Sequence, residues 1–460
     1  MTKFKVCFRT IIIVILTASS ALTDGAVAQI RGSVPNEENL VQSDSELQTV
    51  GVTEEKDYVF LFGNVHRDTA VLRVLIQNAP DYFNAPDMPR FAIVGKERKF
   101  YLGIGGFLKT SLSYDLGNPI NNGLGFTTSS IPMDNLPGNE SLVQMNAGAS
   151  NLFFNFVALP HTKNQIGAYI NFDFSGNGAN YGLSLKSAYL TYKGFSFGYK
   201  PSLFTDGAAS APTVDQQGPN AMTFLFNAVL NYQYAFNKHW KVGIGLEMPV
   251  VNATYGDYAY EVNQRVPDIP FYVQYGWKDG EGWIRLSGLI RNMYYRDNLA
   301  GKTEDVVGYG IKLSGSTMIG HKVRMFYQTV YGKGLGSYIQ DMQGLGLDMV
   351  PVGITGELKS VEALGSYTGF QWKISPKFSS SIIFSEVKCF LPDSETAVIS
   401  DENVMPSSTY EMAQYLVTNL FYNITPSVQA GVEYLWGSRK NIDGPFKQDT
   451  RLQTAVRVNF

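Results

Sequence analysis

Thiols, histidines and long apolar runs are all scarce in this 460-residue chain. Its two cysteines are Cys7, among the first residues, and Cys389, far downstream in or beside a long gap between strands. Neither a CxxC pair nor a Cys/His spacing for a metal exists, and Cys389 reads as a lone thiol. The four histidines are His66, His161, His239 and His321. The last three fall at or beside short turns, away from any Ser/His or Asp/His set at an outer rim, and read as turn or interfacial side chains. Beyond the first residues no run of 18 or more apolar residues occurs, which excludes helical membrane spans but not strands, whose hydrophobicity hides in alternation. Charged residues make up only 17% and the formal net charge is −3, so the basic surface that nucleic acid requires is missing. Gly332-Lys-Gly334-Leu-Gly336 lacks the Gly-Lys-Ser/Thr ending of a phosphate loop and its strand-to-helix setting. No catalytic residue, no metal and no cofactor is expected.

What is present begins with a leader. Lys3, Lys5 and Arg9 precede an apolar run from Ile11 to Leu16 and an Ala26-Val27-Ala28 site, the pattern of a cleavable secretory signal over residues 1–28. The expected mature chain starts at Gln29, without the cysteine of a lipoprotein. Cleavage removes three cations and Asp24, taking the net charge from −3 to −5. Glycine and aromatics are abundant, with 45 Gly, 27 Tyr and 29 Phe. From Asp449 to Phe460 the residues alternate: Arg451, Gln453, Arg457 and Asn459 on one face, Leu452, Val456, Val458 and Phe460 on the other. A strand with one polar and one apolar face that ends on an aromatic reads as the closing strand of a bacterial outer-membrane barrel, its apolar face toward lipid.

From Phe100 onward sixteen segments of membrane-strand length recur, starting near Phe100, Ser150, Gln165, Leu183, Gly194, Met222, His239, Ile269, Gly282, Glu304, His321, Glu357, Pro376, Glu411, Thr425 and Asp449. Short gaps, such as Lys193-Gly194 and Asn237-Lys238, alternate strictly with longer ones, such as Leu116 to Ala149 and Gly332 to Gly356. Short periplasmic turns opposite long extracellular loops are the habit of membrane barrels, and a soluble sandwich has no reason to sort its connections this way. The expected fold is all-β: a transmembrane antiparallel β-barrel of about 16 strands over residues 100–460. Residues 29–99 are expected to form a short, partly flexible N-terminal periplasmic extension. Its first part, to about Asp57, is acid-rich. Tyr58 to Phe62 suggests a strand, and Asp68 a cap for a helix from Thr69 to about Gln77, before Pro80, Pro86 and Pro89. Periplasmic extension, oligomerisation arm and partial plug all remain open for this piece.

Parity assigns faces. Leu102, Ile104, Leu108 and Leu112 point to lipid, as do Ile166, Ala168, Ile170 and Phe172, then Trp240, Val242, Ile244 and Leu246, and Val428, Ala430, Val432 and Tyr434. The opposite parity sends Lys109, Lys186, Lys200, Lys241, Arg285, Arg291, Lys312, Lys322, Arg324, Arg451 and Arg457 into the lumen, against Asp173, Glu247, Glu362 and Glu433. A cation-rich wall in a narrow tube attracts anions, because low-dielectric walls focus the field. The plainer reading is that polar side chains line any water-filled interior. The gap from Pro201 to Ala221, with Asp206 and Asp215, is the candidate constriction loop; folded inward, its carboxylates would oppose wall cations such as Lys186 and Lys200.

Two stretches carry a family resemblance. The first runs from Asp173-Phe174 through Leu183-Ser-Leu185-Lys186-Ser187-Ala188-Tyr189, Gly194-Phe195-Ser-Phe-Gly198 and Phe204-Thr-Asp206 to Thr213-Val-Asp215-Gln-Gln-Gly218-Pro219. The second runs from Asn419-Leu420-Phe421-Tyr422 to Gly431-Val-Glu433-Tyr434-Leu-Trp-Gly437-Ser-Arg439-Lys440, then Asp443-Gly444, Arg451 and Gln453. Together they resemble the DcaP-like porins, trimeric outer-membrane channels associated with small organic acids. The resemblance, over roughly Phe91 to Phe460, implies sixteen strands, a homotrimer in outer-membrane lipid and passive diffusion of small hydrophilic solutes. Lys186 stands where the family tends to carry Arg, and Asn151, Asn155 and Asn227 where basic residues are expected, which weakens the inference to dicarboxylates, since Lys lacks the bidentate fork and Asn the charge. The expected function is a porin with some preference for anions. The alternative is a non-conducting surface binding barrel or adhesin that uses loops Leu116 to Ala149, Gly332 to Gly356 and Val387 to Tyr410. The chain is too short for a plugged barrel of about 22 strands.

Overall fold

The computed structural model describes residues 58–62, 71, 74, 75, 78 and 89–460, apart from 96, 135–136, 139, 177–180, 279–280, 353–355, 393–408, 443 and 445. The expected leader and the acid-rich stretch after it lie outside the described residues. All described residues belong to one compact unit, Val34–Phe460.

Alternation is what builds it. Sixteen strands form an antiparallel meander: Phe100–Gly117, Asn151–Ala158, Ile166–Gly176, Gly182–Tyr192, Phe195–Pro201, Phe226–Ala235, Trp240–Glu247, Ile269–Trp277, Gly282–Asp297, Lys302–Ile319, Val323–Lys333, Glu362–Lys373, Phe378–Phe390, Tyr410–Thr425, Val428–Asn441 and Lys447–Asn459. The last pairs with the first from Asp449↔Gly117 to Asn459↔Phe107, which closes the barrel and removes the free edge. Leu108, Ile170, Ile244 and Val432 stand exposed on the outside, where lipid replaces water as their surroundings. Lys193-Gly194 forms a two-residue hairpin between Tyr192 and Phe195. Both residues take positive φ, 49° and 85°, the requirement of the primed turn whose twist matches the strands.

Two expected strand starts move. Residues 222–225 do not join the wall at Met222; Thr223 bridges Ile339 and the Phe224 amide donates to the Tyr338 carbonyl, so this stretch pairs with another loop. Glu357–Ser360 pairs with Met349–Val352 in a separate small sheet, and the barrel strand begins at Glu362. The inner face shifts phase between them, from Leu358 to Val361 and Ala363, all buried. Glu362 therefore points outside rather than into the lumen as its parity suggested, and accepts a hydrogen bond from the exposed Tyr331 hydroxyl at 2.7 Å.

Four further short strands extend the sheet to twenty: Tyr58–Phe62, Phe91–Gly95, Ser141–Asn146 and Ala259–Glu261. Ser141–Asn146 rises within the long first gap and pairs with Ser111 to Leu116. Phe91–Gly95 takes the edge of Tyr101 to Ile104 that the last strand leaves uncovered, and Tyr58–Phe62 pairs outside it.

Candidate functional site: the barrel interior

Much of the wall's inner face is apolar. Leu289, Phe326, Val330, Tyr367, Ile383, Tyr415, Val417 and Leu435 are buried there beneath Phe126, Phe204, Met222, Tyr338, Ile339 and Met342, which come from loops. A wall of this composition facing water would forfeit the hydrophobic gain, so the loops folded over it are part of the core.

The stretch from Ser202 to Leu225 folds inward and is held at both ends. The Leu203 amide donates to Glu247 at 2.7 Å, and the Val214 and Asp215 amides donate to the two oxygens of Glu433, each at 2.7 Å. From the first strand, with only the closing strand between it and the strand of Glu433, the Lys109 ammonium donates to the Val214 carbonyl at 2.7 Å and to Gln216 at 3.2 Å. Lys312, fully buried, donates to the Phe204 carbonyl and to Thr223 Oγ1. Asp206 accepts from Ser314 at 2.6 Å and lies 3.6 Å from Arg285. Asp215 accepts from the Phe126 and Gly218 amides and from Tyr415. Burial pushes the Asp215 carboxyl above its ordinary range, and those amides together with the Arg451 charge pull it partly back.

Three other loops are pinned by two arginines. Arg451 makes a bidentate pair with Asp115, at 2.5 and 2.7 Å, and spends its remaining donors on the carbonyls of Ile120, Asn122 and Gly125. Arg291 pairs with Asp268 at 3.3 Å and Asp348 at 3.1 Å and donates to the carbonyls of Gly334 and Val250. Asp268 also accepts from Tyr338 at 2.9 Å. Burial lifts the Asp268 carboxyl to about 6, against the pull of Arg291. Asp341, raised by burial in the same way, accepts from Thr128, the Ser129 amide and Tyr410 and so ties two loops to the start of a barrel strand.

The candidate lining residues thus divide. Lys109, Arg291, Lys312, Glu433 and Arg451 anchor loops through the contacts above. Lys186 pairs with Asp173 at 3.1 Å and donates to Ser175 at 2.9 Å. Asp206 meets Arg285 and Asp215 meets a tyrosine, so the geometry around Lys186 differs from the opposition the sequence suggested. Lys200 lies 4.6 Å over the Tyr189 ring and shares a small cavity with Asp206, Asn231, Gln233 and Arg285. Arg285 also donates to Gln274 at 2.8 Å and lies 4.4 Å over the Tyr272 ring. Arg324 donates to Ser316, and Arg457 lies 3.7 Å over the Phe107 ring while donating to Asn459. Lys241 and Lys322 are exposed. Sequence reading missed Asp115 and Asp449, both fully buried on the inner parity of their strands, and the loop carboxylates Asp268, Asp341 and Asp348. The first two were findable by the alternation that found Arg451. The loop acids have no such signal. Among the described residues no cluster of side chains suited to a metal occurs.

A closed sixteen-stranded antiparallel barrel, apolar outside and folded with loops inside, defines an outer-membrane porin channel, and its place is the bacterial outer membrane. The family model described as the Porin subfamily matches residues 154–454, and the chain belongs to that family. In fold it is similar to the outer membrane channel DcaP of Acinetobacter baumannii, with a TM-score of 0.67 and 20% identity over 78% of this chain and 97% of that one. It is also similar to an anion-selective porin from Comamonas acidovorans, with a TM-score of 0.50 and 11% identity over 78% of this chain and 100% of that one. No curated protein matches the sequence.

Proposed function

We propose that the channel admits small hydrophilic solutes by passive diffusion with a preference for anions, small organic acids among them, and that it works as a homotrimer. One asymmetry carries this reading. The inner carboxylates Asp115, Asp206, Asp215, Glu247, Asp268, Asp341, Asp348, Glu433 and Asp449 are all buried beneath loops or against partners, whereas Lys186, Lys241, Arg285, Arg324 and Arg457 keep partial exposure. Charge that is buried and paired projects little field into the water path; charge at the water's edge decides what enters. The trimer follows from the family resemblance. On this reading a solute carboxylate exchanges hydration for successive contacts with side chains such as Lys186 and Arg285 and moves down its gradient.

The test is the reversal potential of the refolded protein in a planar bilayer under a salt gradient, with conductance steps in threes for the trimer. Anion-selective reversal is the expected result. Cation-selective reversal would overturn the preference while leaving the channel, and a silent protein would favour a non-conducting surface barrel.

A further inference from the structure

One part of the inner wall breaks the polar-inside rule near the short turns. Tyr101, Phe153, Val157, Tyr169 and Tyr189 point inward from four consecutive strands, and every one is buried. The outermost of them lie near the short turns at residues 159–165 and 193–194, the periplasmic side of the barrel. Phe153, Tyr169 and Tyr189 stack as a row, with ring centroids 5.8 and 5.5 Å apart. Tyr101 and Val157 join a cluster with Ala92, Val94 and three residues from far upstream, Val71, Val74 and Leu75.

Those three residues and Asn78 are helical and buried, and their spacing places them on one face of a helix. The face is keyed to the wall by polar contacts as well as apolar ones. The Asn78 amide donates to Asn155 at 2.6 Å, and Asn155 donates in turn to the Leu75 carbonyl at 2.6 Å. Thr191 donates to the Asn78 side-chain oxygen at 2.6 Å, and the Tyr189 hydroxyl to its backbone carbonyl at 3.4 Å. Gly167 supplies the room: a Cβ there would lie 1.7 Å from the Asn78 side-chain oxygen. Gly103 does the same for Pro89 and Leu75, whose atoms would stand 2.9 and 3.0 Å from its Cβ.

We propose that this helical segment is a resident plug at the periplasmic mouth, seated on the wall from Tyr101 to Thr191, and that it narrows the solute path there in series with the loop from Ser202 to Leu225. The proposal rests on the porin reading. It explains why inner positions that a water-filled lumen would make polar are aromatic, why Asn155 stands where a charged lining residue was expected, and why Gly167 carries no side chain. A seat built of interlocking amides and a glycine notch is specific to one occupant, since a helix shifted by one residue would lose the Asn78 contacts and drive another side chain into Gly167.

The experiment compares single-channel conductance of the refolded full chain with that of Gly167→Val and Asn78→Ala, barrel integrity being followed by heat-modifiable gel mobility. Withdrawing a helix of roughly 10 Å diameter from the mouth should raise conductance about two-fold or more in Gly167→Val, with a smaller rise or frequent openings in Asn78→Ala. Val74→Asp leaves every wall residue in place and carries the same expectation if Gly167→Val does not refold. A silent parent with conducting variants would support a plug that closes the mouth entirely. Unchanged conductance in the folded variants would overturn the plug and leave the porin standing. Silence in parent and variants alike would overturn both.

Discussion

The two sides of the lumen solve opposite problems. From Gly282–Asp297 to Val428–Asn441 the inner wall is largely apolar and sealed by extracellular loops, whose backbone amides and carbonyls are met by Glu433, Lys312, Arg291 and Gln328. From Asn151–Ala158 to Phe226–Ala235 the inner face is richer in amides and hydroxyls, Asn151, Asn171, Ser187, Asn227 and Asn231, with the Lys186–Asp173 pair among them. The same residue types therefore carry different duties. Lys312 on the sealed side anchors a carbonyl, and Lys186 on the polar side pairs with Asp173 and keeps partial exposure. Wall parity alone does not distinguish them.

The comparison is broken most severely at Arg451. Arg451→Met would strand Asp115, and the Asp449 beside it, without a counter-charge, and losing one partner of a buried pair costs about 3–5 kcal/mol. The expected outcome is release of the loop at residues 118–131, measured as new protease cleavage there and a lower urea midpoint. The double change Arg451→Met with Asp115→Leu should recover part of the midpoint, because it removes the buried pair together and leaves only Asp449 without its counter-charge. Full stability in the single variant would contradict the anchoring role.

Lys186→Gln sharpens the comparison from the other side. Its pairing with Asp173 is partly exposed, so stability should change by no more than about 1 kcal/mol. Reversal potential should move toward zero selectivity, because an exposed cation is lost while Asp173 remains. A change in unfolding midpoint without any change in reversal would place Lys186 among the anchors.

The smallest expected effect concerns pH. Asp268 faces Arg291, Asp348, Tyr338 and Glu247, and its carboxyl sits at about 6 in the folded protein against an ordinary 3.8. The folded state therefore binds more protons than the unfolded one between those values, so this group favours folding most at the acid end, and stability falls as pH rises through the window to about 6. Asp215 and Asp341 are shifted in the same direction. Loop-driven current noise should be lower near pH 4.5 than at pH 7.5, and Asp268→Asn should flatten part of that difference. An identical pH profile in Asp268→Asn would remove Asp268 from the account.

Strand number, meander order and the sorting of short and long connections were legible because each rests on a period of two read along the chain. Parity failed at Glu362, where the shift from Leu358 to Val361 is a matter of which sheet the backbone joins, and Glu357–Ser360 alternates as well as a barrel strand does. The duties of Lys109, Lys312 and Arg291 were not legible, because they depend on the route a loop takes through space. Tyr101, Phe153 and Val157 offered a signal that could have been used: apolar residues on the lumen parity must be covered by something.

The seam where the last strand meets the first carries one more consequence. Phe460 and Gly106 exchange backbone hydrogen bonds at 2.9 and 3.0 Å, and two residues along the same edge the Arg90 amide already holds the Ile104 carbonyl at 3.1 Å. A closing strand that slid toward the periplasm by the two residues needed to keep its faces correct would collide with a neighbour from the chain's other end. The N-terminal segment is thus a ruler for barrel closure: it fixes where the zipper stops before any solute reaches the channel.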